Sequence, residues 1–378
     1  MPQGHPEALA PSRHGTRTRP MSDAVVREWQ DTIRDALARA QPLCIRGGGT
    51  KDFYGERPRG TVLDTARCSG IVDYDPTELV ITVRGGTRLT EVESAMRDAG
   101  QMLAFEPPHF GPAATIGGCI AAGLSGPRRP YAGAVRDVVL GVRVLDGQGE
   151  DLTFGGRVMK NVAGFDVARA MAGALGTLGV LLDVSLKCLP LPKTEATRVL
   201  ACSAEEALRL VNAWGRQPLP VSATCFHDGQ LAVRLSGAAP AVDAAARRIG
   251  GAVMSDDAPF WAAVREHSHP FFAQGAPRAP LWRLSVRSTA PLGDLPGAQL
   301  IEWGGALRWL RGDADADAER VRTWARANGG HATLFRSEQR TTGVFTPLDD
   351  AAMAIARRLK HVFDPAGILN PGRMYAGL

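Results

Sequence analysis

The chain has 378 residues, more than one hydrophobic core usually supports, so two lobes are expected. Hydrophobic residues make up 44% and charged residues 22%, the balance of a soluble globular protein that folds without disulfide or metal staples. The formal charge of +5 falls to +3 once residues 1–20 are set aside, because Arg13, Arg17 and Arg19 there outweigh Glu7; with no basic cluster on any one element, the pattern excludes a nucleic-acid partner.

Residues 1–20 are rich in Pro, Gly and Arg and hold no apolar run, which predicts a disordered extension and not a signal peptide. Met21 then stands where a natural start would, and Val25, Trp29, Ile33 and Leu37 predict an amphipathic helix capped by Ser22. The strand LCIR (43–46) runs into Gly47-Gly48-Gly49. ELVITVR (78–84) reads as a half-buried strand, entered by the turn at Asp75-Pro76. A capping box from Thr90 to Glu93 opens a helix ended by Gly100. Residues 138–154 read as two strands joined at Asp146-Gly147, and 171–186 as a small-residue stretch feeding an apolar strand. Pro190 and Pro192 mark a domain boundary. Beyond them, a helix from Ser203 to Gly215, strands at LAVRLSG and LWRLSVR, a helix near 315–327, the strand HATLF and a helix near 349–362 predict a second, compact α+β lobe.

The cysteines (44, 68, 119, 188, 202 and 225) contain no Cys-x-x-Cys pair, so they read as small buried residues of a reducing compartment. Any iron–sulfur centre would belong to a partner. No segment is long and apolar enough to span a bilayer, which leaves membrane contact to partners and predicts a cytoplasmic, peripheral location.

Three readings compete for the glycine run. A P-loop would end in Gly-Lys-Ser/Thr, whereas the order here is Gly49-Thr50-Lys51-Asp52. A dinucleotide fingerprint would open a helix, whereas GGGTKDFYG continues as an aromatic loop. A plain structural turn is the third. Against it stands a second loop of the same kind, EPPHFGPAATIGGCIAAGLSG (106–126): two loops rich in backbone N–H groups can converge on one diphosphate.

IRGGGTK, TIGG, GALGTLGVLLDVSL and FDPAGILNPGRMY together resemble the FAD-binding fold of the vanillyl-alcohol oxidase and p-cresol methylhydroxylase group. YDPTELVITVRGGT, GPRRPYAGAVRDVVLG, VMKNVAGFD and WGGALRWL are similar, within that group, to the FAD-binding subunits of bacterial glycolate oxidases. The resemblance implies an α+β chain: two subdomains that clamp FAD (21–192), a smaller cap over the flavin (193–345) and a C-terminal segment (346–378) returning to the FAD domain. It implies a pyrophosphate on Arg46, Gly47, Gly48, Gly49, Thr50 and Lys51, and a second wall of Thr115, Ile116, Gly117, Gly118 and Ala122. Gly176, Gly179 and Val180 would meet the adenine end, and Asn370 and Arg373 would lie towards the flavin. Many relatives hold FAD through a histidine in the first loop; Thr50 and Lys51 stand there instead, so a non-covalent flavin is expected.

Oxidising a 2-hydroxy acid needs a hydride acceptor, a base for the hydroxyl proton and a cation for the carboxylate. The H-x-G-D-G-N-L-H segment of acid-oxidising relatives is missing. His331 and His109 are the candidate substrate-side histidines, and Arg308, Arg336 and Arg373 the candidate carboxylate clamps. His267 and His269 alternate but lack further ligands to complete a metal site, so no metal is expected. Trp261, Phe271, Phe272, Trp282, Trp303 and Trp309 are either the cap's own core or a docking surface. The resemblance implies a glycolate-oxidising complex with a sister FAD-binding subunit and an iron–sulfur subunit. A self-sufficient 2-hydroxyacid dehydrogenase and a non-catalytic module with structural FAD stay open.

Overall fold

The computed structural model describes residues 20–156, 166–273, 280–312 and 314–378. Apart from Pro20, the N-terminal tail lies outside the described residues, as does VMKNVAGFD apart from Asp166.

The first helix, Pro20–Ala38, begins two residues ahead of Ser22. Its stripe of Val26, Trp29, Ile33 and Ala36 packs on Leu43, Leu63, Leu145 and Leu182. The strand Leu43–Arg46 pairs in parallel with Thr61–Asp64. Among the described residues an antiparallel five-stranded sheet follows, in the order Ile71–Asp75, Val80–Arg84, Val180–Lys187, Val139–Leu145 and Asp151–Gly155. Helices Leu89–Asp98 and Ile116–Ala122 pack into its apolar cluster.

Two local expectations are corrected. Val80–Arg84 is buried along nearly its whole length, and Thr82 tolerates this because its hydroxyl bonds that of Ser185 at 2.9 Å. The second helix is capped at Arg88 and not at Thr90, since the residues before it are already tied to the later glycine loop: Leu89 N–H donates to Ala114 O, and Thr87 O accepts from Ile116 N–H. That tie matters for the site, because it fixes the loop carrying Thr115 against the sheet edge.

The second sheet holds eight described strands, in the order Ala252–Met254, Thr194–Ala201, Gln230–Gly237, Val221–His227, Ala298–Glu302, Leu307–Arg311, Leu281–Ser285 and His331–Arg336, each antiparallel to its neighbours. Ser203 caps the helix Ala204–Trp214 through Glu206 N–H. Trp261, Phe271, Phe272, Trp282, Trp303 and Trp309 are all buried, so they form this lobe's core and offer no docking surface.

After the helix Asp350–Phe363 the chain returns to the first lobe, where Leu369 bridges Leu43 and Asn370 N–H donates to Leu43 O. The return is pinned by a buried pair: Lys360 Nζ donates to Asp364 (2.6 Å), Thr177 O (2.8 Å) and Leu369 O (2.7 Å).

Candidate cofactor and substrate site

The two glycine loops meet. A Cβ on Gly48 would lie 1.5 Å from Ala113 O, and one on Gly47 would lie 2.4 Å from Thr115 Oγ1. Gly49 has φ +69°, the left-handed region that glycine enters without steric cost. The bareness of Gly47 and Gly48 is therefore what lets one loop press on the other, and a phosphate is not the first thing a side chain there would strike.

Between the loops and the 171–181 segment runs a cleft. Arg46, Gly47, Gly48, Gly49, Thr50 and Lys51 line it, with Thr115, Gly117, Gly118 and Ala122 opposite and Gly176, Gly179, Asn370 and Arg373 completing it. Ile116 and Val180, expected among the contacts, do not line it. Each is fully buried in an apolar cluster: Ile116 opens a helix packed on the sheet, and Val180 begins a central strand.

The walls differ in chemistry. The N–H groups of Gly48, Gly49 and Thr50 meet no hydrogen-bond acceptor among the described residues. In the second loop three are spent: Ile116 donates to Thr87 O, Gly117 to Gly85 O, and Gly118 to Thr115 Oγ1, while the Thr115 N–H meets no acceptor among the described residues. Free amides thus come mainly from the first loop, with Thr115 opposite. Arg46 pairs with Asp52 at 2.7 Å on the cleft rim. Lys51 turns its ammonium to His109 O at 3.2 Å, and burial lowers its pKa.

Asn370 joins both sides of the cleft. Its Oδ1 accepts from Ile45 N–H at 2.7 Å and its Nδ2 donates to Leu175 O at 2.6 Å. Arg373, a candidate for substrate contact, is committed to Asp52 O (3.1 Å) and Glu56 O, so it braces the first loop. Arg308 is fully buried and spent on Ala290 O, Pro291 O and Gly305 O, which removes it as a clamp. Arg336 lies over the rings of Phe53 (4.5 Å) and Phe110 (5.1 Å).

The two candidate histidines lie outside the cavities. His109 Nε2 sits 3.1 Å from Glu93 Oε2, held by the second helix. His331 opens the edge strand His331–Arg336 and is exposed; the neighbouring Ala332 and Leu334 are the residues this strand buries in the lobe's other cluster.

A second, much tighter cavity lies between the second loop and the larger sheet. Phe110, Leu124, His267, Arg283, Glu302 and Trp309 are among its walls. Leu124 follows Ala122 by two residues, and both belong, with Trp309, to one apolar cluster, so the cavity adjoins the cleft. Glu302 accepts from Trp309 Nε1 at 2.7 Å, and burial pushes its carboxyl up to about 7. His267 stacks on Phe272 with centroids 4.0 Å apart; its Nδ1 has no partner among the described residues, and burial drives its pKa well below the usual histidine value. Among the described residues no group of three His, Cys, Asp or Glu could hold a metal.

Sequence reasoning passed over Arg283 and Glu302. The available signal was a single charge in each of two short strands, LWRLS and AQLIE. The WGG that follows is the reversal between strands: Trp303, Gly304 and Gly305 have φ of 55°, 62° and 99°. That turn seats the Trp303 indole against the second loop, donating to Gly126 O at 3.0 Å.

Known proteins share this arrangement. Residues 24–155 match the family model described as FAD binding domain, and residues 344–374 the one described as FAD linked oxidases, C-terminal domain. Glycolate oxidase subunit GlcE of Escherichia coli (strain K12) is 46% identical over 348 residues, covering 92% of this chain and 97% of that protein. Glycolate oxidase subunit GlcD of Bacillus subtilis (strain 168) is 32% identical over 158 residues, 41% of this chain and 33% of that one. A solved alkyldihydroxyacetonephosphate synthase shares the fold at TM-score 0.61 and 15% identity, over 91% of this chain and 74% of that one. Free amides on a glycine loop, a cleft closed by the C-terminal return and near-full-length similarity to a known subunit converge: the chain belongs to the FAD-linked oxidase family, in the branch of the glycolate oxidase subunit GlcE.

Proposed function

We propose that this chain is the FAD-carrying subunit of a multi-subunit glycolate oxidase, which converts glycolate to glyoxylate and passes electrons to an iron–sulfur subunit and a membrane acceptor. The observation that carries the reading is the row of unpaired amides at Gly48, Gly49 and Thr50, residues that line the cleft, a donor set suited to a diphosphate. Gly117, Gly118 and Ala122 would flank the dinucleotide, and Gly176 and Gly179 its adenine end. Bound there, the flavin supplies the hydride acceptor.

Residues 21–192 and the returning segment 346–378 would hold the cofactor, with 193–345 as the cap. Thr50 occupies the attachment position of the covalent relatives and Tyr54 is buried against Phe335, their ring centroids 5.2 Å apart, so the flavin is held by contacts alone. Acid precipitation should release all of the FAD into the supernatant; colour retained in the pellet would refute non-covalent binding. A sister FAD-binding subunit fits the similarity to two differently named glycolate oxidase subunits. Among the described residues no helix is long and apolar enough to cross a membrane, in keeping with a cytoplasmic chain that reaches the membrane through partners.

The chain purified alone tests this. A yellow protein bleached by glycolate under anaerobic conditions only when its partners are added supports the subunit reading. Bleaching by the lone chain favours a self-sufficient 2-hydroxyacid dehydrogenase, a reading that the cavity holding Arg283 and Glu302 keeps in view. A colourless protein that cannot take up FAD rejects both.

A further inference from the structure

We propose that the tight cavity beside the cleft is a hydroxy-acid site belonging to this chain, in which Arg283 receives the carboxylate and Glu302 accepts the hydroxyl hydrogen. It deepens the flavoprotein reading and rests on it. Arg283 stands mid-strand in Leu281–Ser285, between Trp309 and Thr333 on the adjacent strands. Its guanidinium lies 5.1 Å from the Trp303 ring and has no hydrogen-bond or ion-pair partner among the described residues. Arg129 lies over the same ring at 4.5 Å, likewise without an ion pair among them. Two cations on one indole, Arg283 in the cavity wall and Arg129 half-buried beside it, leave positive charge that a small anion would neutralise.

Glu302 is buried in the same walls, but no ion pair joins it to Arg283, so the two line one space without closing it. The groups facing Glu302 are Arg283, Glu106 of the second loop and the Trp309 indole. The left-handed turn at Trp303, Gly304 and Gly305 holds the geometry, because Gly304 N–H donates to Thr224 Oγ1 at 2.8 Å. A 2-hydroxy acid presents what this space lacks: an anion for the guanidinium and, one carbon away, a donor for the carboxylate.

The test uses the full chain and two probes, oxalate and glycolate, titrated anaerobically while tryptophan fluorescence reports through Trp303 and Trp309 whether or not flavin is bound. Arg283→Met should weaken oxalate roughly 30-fold or more, with FAD content and thermal midpoint close to the parent's, and Arg283→Lys should restore part of the loss. Glu302→Gln should weaken glycolate and spare oxalate, which carries no hydroxyl. Equal oxalate affinity in parent and Arg283→Met, or no response in the parent, overturns the site. If Arg283→Met fails to fold, Arg283→Lys and Glu302→Gln decide alone: unchanged affinity for both probes in both variants overturns it. FAD content separates the failures, since a yellow chain blind to oxalate loses only this site, whereas a colourless chain loses the flavoprotein reading.

Discussion

At the scale of single residues, the glycines of the first loop divide by what surrounds them. Gly48→Ala drives a Cβ into the Ala113 carbonyl, which is backbone and cannot step aside, so the loops must part. FAD uptake should be lost together with several degrees of thermal midpoint. Gly49→Ala meets the Arg46 guanidinium, the free end of a flexible side chain, and pays mainly for its positive φ, about 1 kcal/mol. It should keep its yellow colour, and equal loss of colour in both variants would contradict the packing. Glu302 makes a pH prediction. Burial pushes its carboxyl up to about 7 from 4.5 for an ordinary glutamate, so the folded state binds the extra proton between those values. The stability this group contributes is therefore greatest below about pH 4.5 and falls as pH rises to about 7, by an amount on the order of 3 kcal/mol. Denaturant titrations across that window should show the slope, and Glu302→Gln should flatten it. The glycine run was legible in the sequence because bare backbone is a local property. Arg283 and Glu302 were not, because they come together only where the sheet sets their strands on either side of Leu307–Arg311.

Among the elements, the C-terminal return shows how far a motif can be read. FDPAGILNPGR announced a turn-rich tail directed at the cofactor, but the pair anchoring it needed a helix register and a distant loop. Asp364 accepts from Lys360 Nζ and from the N–H groups of Ile368 and Leu369. Asp364→Ala would leave a buried ammonium without its carboxylate, a loss of about 3–5 kcal/mol. Because Lys360 also binds Thr177 O, the 174–179 loop should loosen with it, and FAD affinity should fall with the thermal midpoint. Full FAD affinity in a destabilised Asp364→Ala would show that the tail is not part of the cleft's support. The helix at Leu89–Asp98 teaches the converse: its box at Thr90 and Glu93 has the right letters, but the bridge between Arg88 and Thr115 starts the helix earlier. Local signals lose where a long-range hydrogen bond fixes the boundary.

Across the whole molecule, the lobes are joined by a buried ionic cluster. Glu106, from the second loop, accepts from Arg128 of the same lobe and from Arg234 of the larger sheet at 2.8 Å. Arg128 reaches across in turn to Glu195 at 2.6 Å. Glu106→Ala would leave two guanidinium groups to share Glu195, costing about 1–3 kcal/mol, and faster amide exchange should appear along Val221–His227 and Gln230–Gly237. Unchanged exchange there would show that apolar packing alone holds the lobes together. The expectation of two lobes came from chain length and the break at Pro190 and Pro192, whereas the clamp between the sheets pairs residues 128 apart in the chain and left no periodic trace. The tie from Asn370 to Ile45 and Leu175 carries a consequence for synthesis. On a translating ribosome, both glycine loops leave the exit tunnel long before residue 370 is decoded, so the nascent chain has the amides ready but the groove unfinished. On the flavoprotein reading, flavin loading waits until residue 370 has emerged, and a message cut short upstream of that codon should yield a polypeptide unable to keep its pigment.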